Sequence, residues 1–190
     1  MCLGSGYLPR RTQLRYLINQ FVWTRELLFS GSSIVTCSSD ETIRFWTLDN
    51  SPLSNSGLEC HLQKIISLST QECEQDKKGV RCVQVSPDES FIASGDRSGN
   101  IRVHNAKNYN EQCKIEAHES EIMTLKFSKD NKYLASGSRD RLLHMFDGEN
   151  NFEFLTTIED HSSCVTSVDF IKNSQEEDVL VSSGNFVFRL

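Results

Sequence analysis

Apolar, small and polar positions follow one recurring order along this chain. Ile34–Trp46 (IVTCSSDETIRFW), Ile92–His104 (IASGDRSGNIRVH) and Leu134–Phe146 (LASGSRDRLLHMF) align over thirteen residues without a gap, and their starts lie 58 and 42 residues apart. Each stretch passes from apolar and small residues through a polar turn into a run rich in β-formers, the pattern of a tight hairpin. The turns centre on Asp40-Glu41, Ser98-Gly99 and Asp140-Arg141, and only the middle one carries the glycine that a positive φ favours.

A second recurrence precedes the hairpins. Val80 (VRCVQVS), Ile122 (IMTLKFS) and Val165 (VTSVDF) begin segments 42 and 43 residues apart, each predicting a further strand. Between that strand and the hairpin, Pro87-Asp88-Glu89-Ser90 and Lys129-Asp130-Asn131-Lys132 are turn-prone by composition. A fourth, outer strand is predicted at Cys113–Ile115 and at Phe154–Ile158, just ahead of His118 and His161. Four strands in about 42 residues predict an all-β chain built from β-propeller blades. No heptad or βαβ pattern competes with that reading.

One interval breaks the period. Trp46 and Val80 are 34 residues apart, against 19 between Phe146 and Val165, so an insertion of about fifteen falls within about residues 51–77. Its start (Ser51, Pro52, Ser54, Asn55, Ser56, Gly57) is loop-like, and Lys64–Leu68 reads as a displaced outer strand. Residues 1–30 match no repeat and read as a divergent strand pair, an arm or a non-native junction, ahead of blades over 31–190.

Composition narrows the function classes. With 26 acidic and 20 basic residues the formal charge is −6, and no long run of one sign suggests a nucleic-acid groove or an anionic membrane surface. Seven scattered cysteines without a C-x-x-C pair read as reduced thiols of an intracellular protein. Asn50-Ser51-Pro52 is not a glycosylation sequon, and no other asparagine starts one. Arg10, Arg11, Arg15, Arg25 and Glu26 interrupt the apolar stretches of the first thirty residues, which therefore form neither a signal-peptide core nor a membrane span. Gly4-Ser5-Gly6 lacks the flanking strand and helix of a phosphate loop. Pro9–Leu17 places basic residues ahead of spaced apolar ones, as kinase-docking peptides do, although a solvated arm or a partly buried strand is the simpler reading.

From about Ser33 to Gly184 the chain resembles the WD-repeat family, on Ser38-Ser39-Asp40 leading to Phe45-Trp46 and on His118 leading through Ser136 and Asp140 to Phe146. The resemblance implies a propeller fragment of about three blades plus part of another, with the ring not closed. It also implies a buried hydrogen-bond chain of His, Ser or Thr, Asp and Trp in each blade. Carried over by position, one blade supplies His118, Ser136 and Asp140, with Phe146 where the indole would stand. The first supplies Thr36, Asp40 and Trp46, with Ile18 at the His position, and His161 opens the last. The second has Asp76, Ser98 and His104 at the His, Asp and Trp positions, so its chain is lost.

A chemical reading of the same residues makes His118 and Asp140 a hydrolytic dyad, or His104, His118, His144 and His161 a metal cluster. These residues fall at the repeat's own spacing, and no fourth ligand or activated nucleophile stands out. No catalytic, metal-binding or cofactor-binding residue is therefore expected, and no small-molecule substrate. Arg81, Arg97, Arg139 and Arg141 are the interface candidates, because a guanidinium anchors contacts well when partly desolvated. The acidic stretches Glu72, Glu74, Asp76 and Glu176-Glu177-Asp178 read as solvated turns able to favour a basic partner.

A narrower resemblance rests on CSSDETIRFW from Cys37, VSPDESFIASGDRSGNIRVH from Val85, EAHESEIMTLKFS from Glu116, SGSRDRLLHMFD from Ser136 and DHSSCVTSV from Asp160. Together these resemble the mitogen-activated-protein-kinase-binding group of WD-repeat scaffolds, which includes the primary-microcephaly protein. That group implies a large non-catalytic scaffold with two propellers. It would be cytoplasmic, with the nucleus as a further compartment, and its partners would be Jun N-terminal kinase signalling components or proteins of the centrosome and spindle pole. A generic WD-repeat adaptor, such as a ubiquitin-ligase substrate receptor, is the alternative, and a hydrolase using His118 and Asp140 a remote one.

The length of the repeat region and Phe186, which sits where Asp40 and Asp140 sit, lead to the expectation of a fragment or truncated isoform with open, aggregation-prone blade faces. Expressed alone, residues 1–190 should self-associate in sedimentation and unfold without a sharp urea transition. A cooperative, monomeric transition would count against that expectation.

Overall fold

The strands form where the apolar runs alternate with turn residues, and they group into four antiparallel sheets in chain order. A computed structural model describes residues 22–27, 33–49, 59–68, 79–173, 178–184 and 187–189, and no helix occurs among them. The first sheet orders β1 (Val22–Leu27), β2 (Ser33–Ser38), β3 (Thr42–Asp49) and β4 (Glu59–Ser67) side by side. The second orders β5 (Val80–Val85), β6 (Phe91–Asp96), β7 (Asn100–Asn105) and β8 (Glu111–Glu116). The third follows with β9 (Ile122–Phe127), β10 (Tyr133–Ser138), β11 (Leu143–Asp147) and β12 (Glu153–Ile158). The fourth has three described strands, β13 (Val165–Lys172), β14 (Asp178–Gly184) and β15 (Val187–Arg189).

The aligned hairpins are β2–β3, β6–β7 and β10–β11, in identical register: Ile34↔Trp46, Ile92↔His104 and Leu134↔Phe146 pair. Three blades and a further three strands stand side by side without closing a ring. The long interval holds an ordinary outer strand, β4, between connections 50–58 and 68–79 that exceed their counterparts 106–110 and 117–121. At the other end, β1 pairs with β2 from Thr24↔Cys37 to Leu27↔Ile34, which places Val22–Leu27 in the first sheet. Pro9–Leu17, Ile18, Glu72, Glu74, Asp76, Glu176 and Glu177 lie outside the described residues.

Burial falls from the inside of each blade outward. β6 and β10 are buried along nearly their whole length, whereas β8 and β12 are mostly exposed. The core is therefore a set of sheet-on-sheet interfaces, not an interior of any single sheet. Val35, Cys37, Ile43 and Phe45 of the first sheet meet Val80, Val83, Val85 and Ile92 of the second. Ala93, Ile101 and Val103 meet Ile122, Leu125, Phe127 and Leu134 of the third. Ala135 and Leu143 meet Val165, Val168 and Phe170 of the fourth. Burying each such large side chain contributes about 1.5–3 kcal/mol.

This stacking explains the small residues of the middle strands. A Cβ on Gly137 would lie 2.6 Å from Val165 Cγ1 and 2.9 Å from Thr124 Cγ2, so the next blade leaves room for hydrogen alone. The first blade, with Cys37 at that position, accommodates a thiol instead.

The hairpin turns share one backbone solution despite their different residues. Glu41, Gly99 and Arg141 have φ of 65°, 90° and 78°. The two non-glycine residues bear a strain of roughly 1 kcal/mol, offset by aspartate side chains that close the turn. Asp40 Oδ1 accepts from Thr42 N at 3.1 Å, and Asp140 Oδ1 from Leu142 N at 2.9 Å. In the second blade Asp96, two positions earlier, takes over by accepting from Ser98 N and Asn100 N at 2.9 and 2.8 Å.

Gly99 carries a second demand: a Cβ there would sit 1.9 Å from the His118 carbonyl oxygen. Gly99→Ala is expected to lower stability by about 2 kcal/mol or more, read as a fall in the urea midpoint at unchanged slope.

Candidate functional site

Two polar constellations stand out: hydrogen-bond chains inside the blades, and a cluster of arginines at the end of the sheets where the hairpin turns lie. In the third blade, β10 and the turn after it present Ser136 and Asp140 to His118, which lies in the connection before β9. His118 Nδ1 lies 2.9 Å from Asp140 Oδ2, and His118 Nε2 lies 2.7 Å from Ser136 Oγ. Burial pushes the His118 imidazole down to about 4, helped by His144 and opposed by Asp140. At neutral pH it is therefore uncharged, with Nδ1–H donating to the carboxylate and Nε2 accepting the Ser136 hydroxyl proton. The His144 ring stacks on it at 4.1 Å and 10°, and burial lowers the His144 value too.

Ser136, His118 and Asp140 have the connectivity of a hydrolytic triad, with the roles in the same order. Access decides against that chemistry. Ser136 and the His118 side chain are fully buried, at 0% exposure, so no acyl group can approach the hydroxyl. What the arrangement does is tie the β10–β11 hairpin to the connection that precedes β9.

The other blades make different polar bonds. In the first, Trp46 Nε1 donates to Thr36 Oγ1 at 3.0 Å, and Arg44 and the Thr42 hydroxyl both bond the Asp40 carboxylate. In the second, where the His–Asp pair is missing, Arg102 Nη1 donates to Glu111 Oε2 at 2.7 Å beside the buried His104. In the fourth, the buried His161 Nε2 lies 2.7 Å from Ser182 Oγ, the counterpart of the His118–Ser136 bond. The four histidines thus occupy three blades and do not converge. Among the described residues, no group of three or more His, Cys, Asp or Glu is placed to hold a metal ion.

The interface candidates divide. Arg81 Nε lies 3.1 Å and Arg97 Nε 3.9 Å from Glu121 Oε1, and Arg139 Nη1 lies 3.6 Å from Glu121 Oε2. Arg141 stands apart, exposed, its Nε bonding the Asp140 carbonyl at 3.4 Å. The backbone sets this convergence. Arg97 N donates to the Gly79 carbonyl at 3.1 Å and Arg139 N to the Glu121 carbonyl at 2.9 Å, the same contact one blade apart. Ser138 Oγ donates to the Glu121 carbonyl as well, at 2.9 Å. Arg81 reaches the group because the β5–β6 ladder shifts register between Val80 and Cys82, which leaves Arg81 as the bulged residue and re-aims its side chain. Glu121, Asp96 and the Arg102–Glu111 pair escaped sequence reasoning. A glutamate three residues after His118 carries no signal until the neighbouring blade is in place.

Comparison with protein families finds the WD domain, G-beta repeat, over residues 19–47, 60–105, 110–147 and 152–190. The chain belongs to the WD-repeat family. It is 40% identical over 176 residues to WD repeat-containing protein 62 of Sus scrofa, an alignment covering 80% of this chain and 11% of that protein. It is also 40% identical over 164 residues to mitogen-activated protein kinase-binding protein 1 of Homo sapiens, covering 73% and 11%. The chain thus spans about a ninth of the length of these relatives. Among solved structures, the WD40 repeats of RRP9 superpose with a TM-score of 0.70 at 20% identity, over 87% of this chain and 46% of that one. The fold is therefore a piece of a WD-repeat propeller, in a family that generally serves as a non-catalytic interaction scaffold. The match from residue 19 takes in β1, and the match from 60 takes in most of β4, so the repeat extends through both segments.

Within this WD-repeat blade, His118 must gain a proton to unfold below its ordinary value near 6.5. The unfolded chain binds that proton between about 6.5 and about 4, whereas the folded blade does not, so stability is lost as pH falls through that window. The slope is about 1.4 kcal/mol per pH unit for one such histidine. Thermal melts from pH 7 to 4.5 should show the midpoint falling, and His118→Asn should flatten the curve while lowering the pH 7 midpoint.

Proposed function

We propose that this chain is the propeller platform of a larger, non-catalytic scaffold that assembles mitogen-activated protein kinase components, those of the Jun N-terminal kinase branch in particular. The observation that carries this reading is the 40% identity to mitogen-activated protein kinase-binding protein 1 across 73% of the chain. The equal identity to WD repeat-containing protein 62 supports the same group. By that resemblance the scaffold works in the cytoplasm and at the centrosome or spindle pole, with proteins as its partners. A rigid sheet edge with exposed arginines, in a chain of otherwise acidic balance, suits protein contacts better than nucleic acid or an anionic membrane.

Affinity capture of the full-length protein from dividing cells should recover kinase-pathway or spindle-pole proteins. Recovery of neither would sink this reading, and recovery of ubiquitin-ligase subunits in their place would favour a general adaptor.

A further inference from the structure

The outer strands of the blades differ in how they treat their free edge. β4, β8 and β12 each end a sheet, so one side of each has no neighbouring strand among the described residues. An exposed edge invites pairing with another chain, and charged side chains, lysine above all, blunt it. β8 sets Glu111, Lys114 and Glu116 along its length, and β4 sets Lys64 between the exposed Leu62 and Ile65. β12 (EFLTTI) has no basic residue, and after Glu153 it has no charge at all. Each outer strand also carries one residue bulged out of register: Gln63 in β4, Gln112 in β8 and Leu155 in β12. The bulge is common to all three, and only in β12 is its residue apolar. Leu155 is 46% exposed and its neighbour Phe154 56%, although the Phe154 ring packs edge-on against Phe146. Beyond them Thr156, Thr157 and Ile158, β-formers all, pair in unbroken register with Met145, His144 and Leu143.

One end of this edge is acidic. Asp147 pairs across from Glu153, and Glu149 N donates to the Asp147 carboxylate at 3.0 Å, which gathers three carboxylates at the start of β12. The donors that hold them, the Glu149 amide and the Asn150 side chain, are neutral and leave their charge in place. Lys129 and Lys132 of the β9–β10 turn share this corner, which Gly148 N ties in by donating to the Lys132 carbonyl at 2.7 Å, and Lys132 pairs with Asp130. Asp130, Asp147, Glu149 and Glu153 against Lys129 and Lys132 give four negative charges and two positive, a net of minus two. The far end is more mixed: Glu159 and Asp160, the latter with a further contact of its own, follow Ile158, and Arg141 of the β10–β11 turn stands at the same end.

We propose that the free edge of β12 accepts an extended segment of a partner protein as a fifth strand. Phe154 and Leu155 would grip its apolar side chains, and the corner of Asp147, Glu149 and Glu153 would hold a lysine or arginine at one end of it. Strand addition takes its affinity from main-chain hydrogen bonds and its specificity from the side chains alongside. A second copy of this chain fits the edge badly. Two β12 strands antiparallel about Thr156 would set each Glu153 opposite a Glu159, like charges that destabilise the pairing. This inference rests on reading the chain as a protein-interaction platform and names the chemistry of one partner segment.

The test uses the intact protein carrying these residues, immobilised and exposed to pools of short peptides built from Val, Ile, Thr and Leu with a lysine pair at either end. One comparison pool carries glutamates in place of the lysines, and another keeps the lysines but has alternate backbone amides N-methylated. Retention of the lysine pool over both others is expected, weakening with added salt. Leu155→Lys, which gives β12 the lysine that β4 has, should cut that retention about tenfold or more at an unchanged melting temperature. Gln112→Lys on β8 should leave it intact. Glu149→Lys with Glu153→Lys should turn the preference toward the glutamate pool, an outcome that misfolding cannot produce. Equal retention of the N-methylated or glutamate peptides, or retention indifferent to Leu155→Lys, overturns the proposal. Self-association that Leu155→Lys abolishes also overturns it, by seating a second copy on the edge. Capture of kinase-pathway or spindle-pole proteins by the unaltered protein, run in parallel, separates the readings. Captured partners with no lysine-dependent peptide retention defeat the edge site alone, whereas loss of both defeats the platform reading.

Discussion

Everything in this chain depends on one sheet burying the face of the next. A four-stranded antiparallel sheet has two faces and no core of its own, and here the apolar faces of successive sheets bury one another. The consequence reaches down to single atoms. The middle strands carry small residues because two neighbours press on them, and Val165 occupies the space that a side chain at Gly137 would need. Inner strands are correspondingly branched and apolar, and outer strands are free to be polar.

Against this constant packing, the polar chemistry at the blade end varies. Three blades bond a hydroxyl of the second strand, an indole on Thr36 and histidines on Ser136 and Ser182, whereas the second blade sets a guanidinium on Glu111 between its third and fourth strands. Only the third supplies the histidine, serine and aspartate together. Packing thus fixes the geometry, and the blades satisfy their buried polar atoms unevenly: in the second, Arg102 Nε and His104 Nδ1 have no hydrogen-bond partner among the described residues. The neutral His118 illustrates the cost of this arrangement, because its protection from water makes protonation unfavourable.

The repeat was legible because stacking imposes it on every blade: a small-residue strand, a tight turn and an apolar return recur wherever a blade must fit between two others. The hairpins, the inner strands β5, β9 and β13 and the outer strands β8 and β12 all follow from that spacing. β4 was visible only as a displaced apolar run, and β1 lies in the stretch that matches no repeat and reads equally as a divergent strand pair, an arm or a junction. The Ser136–His118–Asp140 chain could be read by position. The convergence of Arg81, Arg97 and Arg139 could not, because its centre, Glu121, belongs to one blade and two of its arginines to another. The turn of the second blade was read as lacking its aspartate. In the structure Asp96 does the same work from two residues upstream, so the chemistry is kept while its position shifts.

The register shift near the start of each inner strand recurs between Val22 and Thr24, Val80 and Cys82, Gly137 and Ser138, and Val165 and Ser167. In the second, third and fourth blades the inner-strand residues bulged out of the register are Arg81, Met123 and Thr166, which share no chemistry. A bulge releases its residue from the ladder and re-aims the side chain. Each of these three blades therefore holds one position that strand pairing does not dictate, where a substitution can change what the blade end presents while the ladder on either side keeps its register.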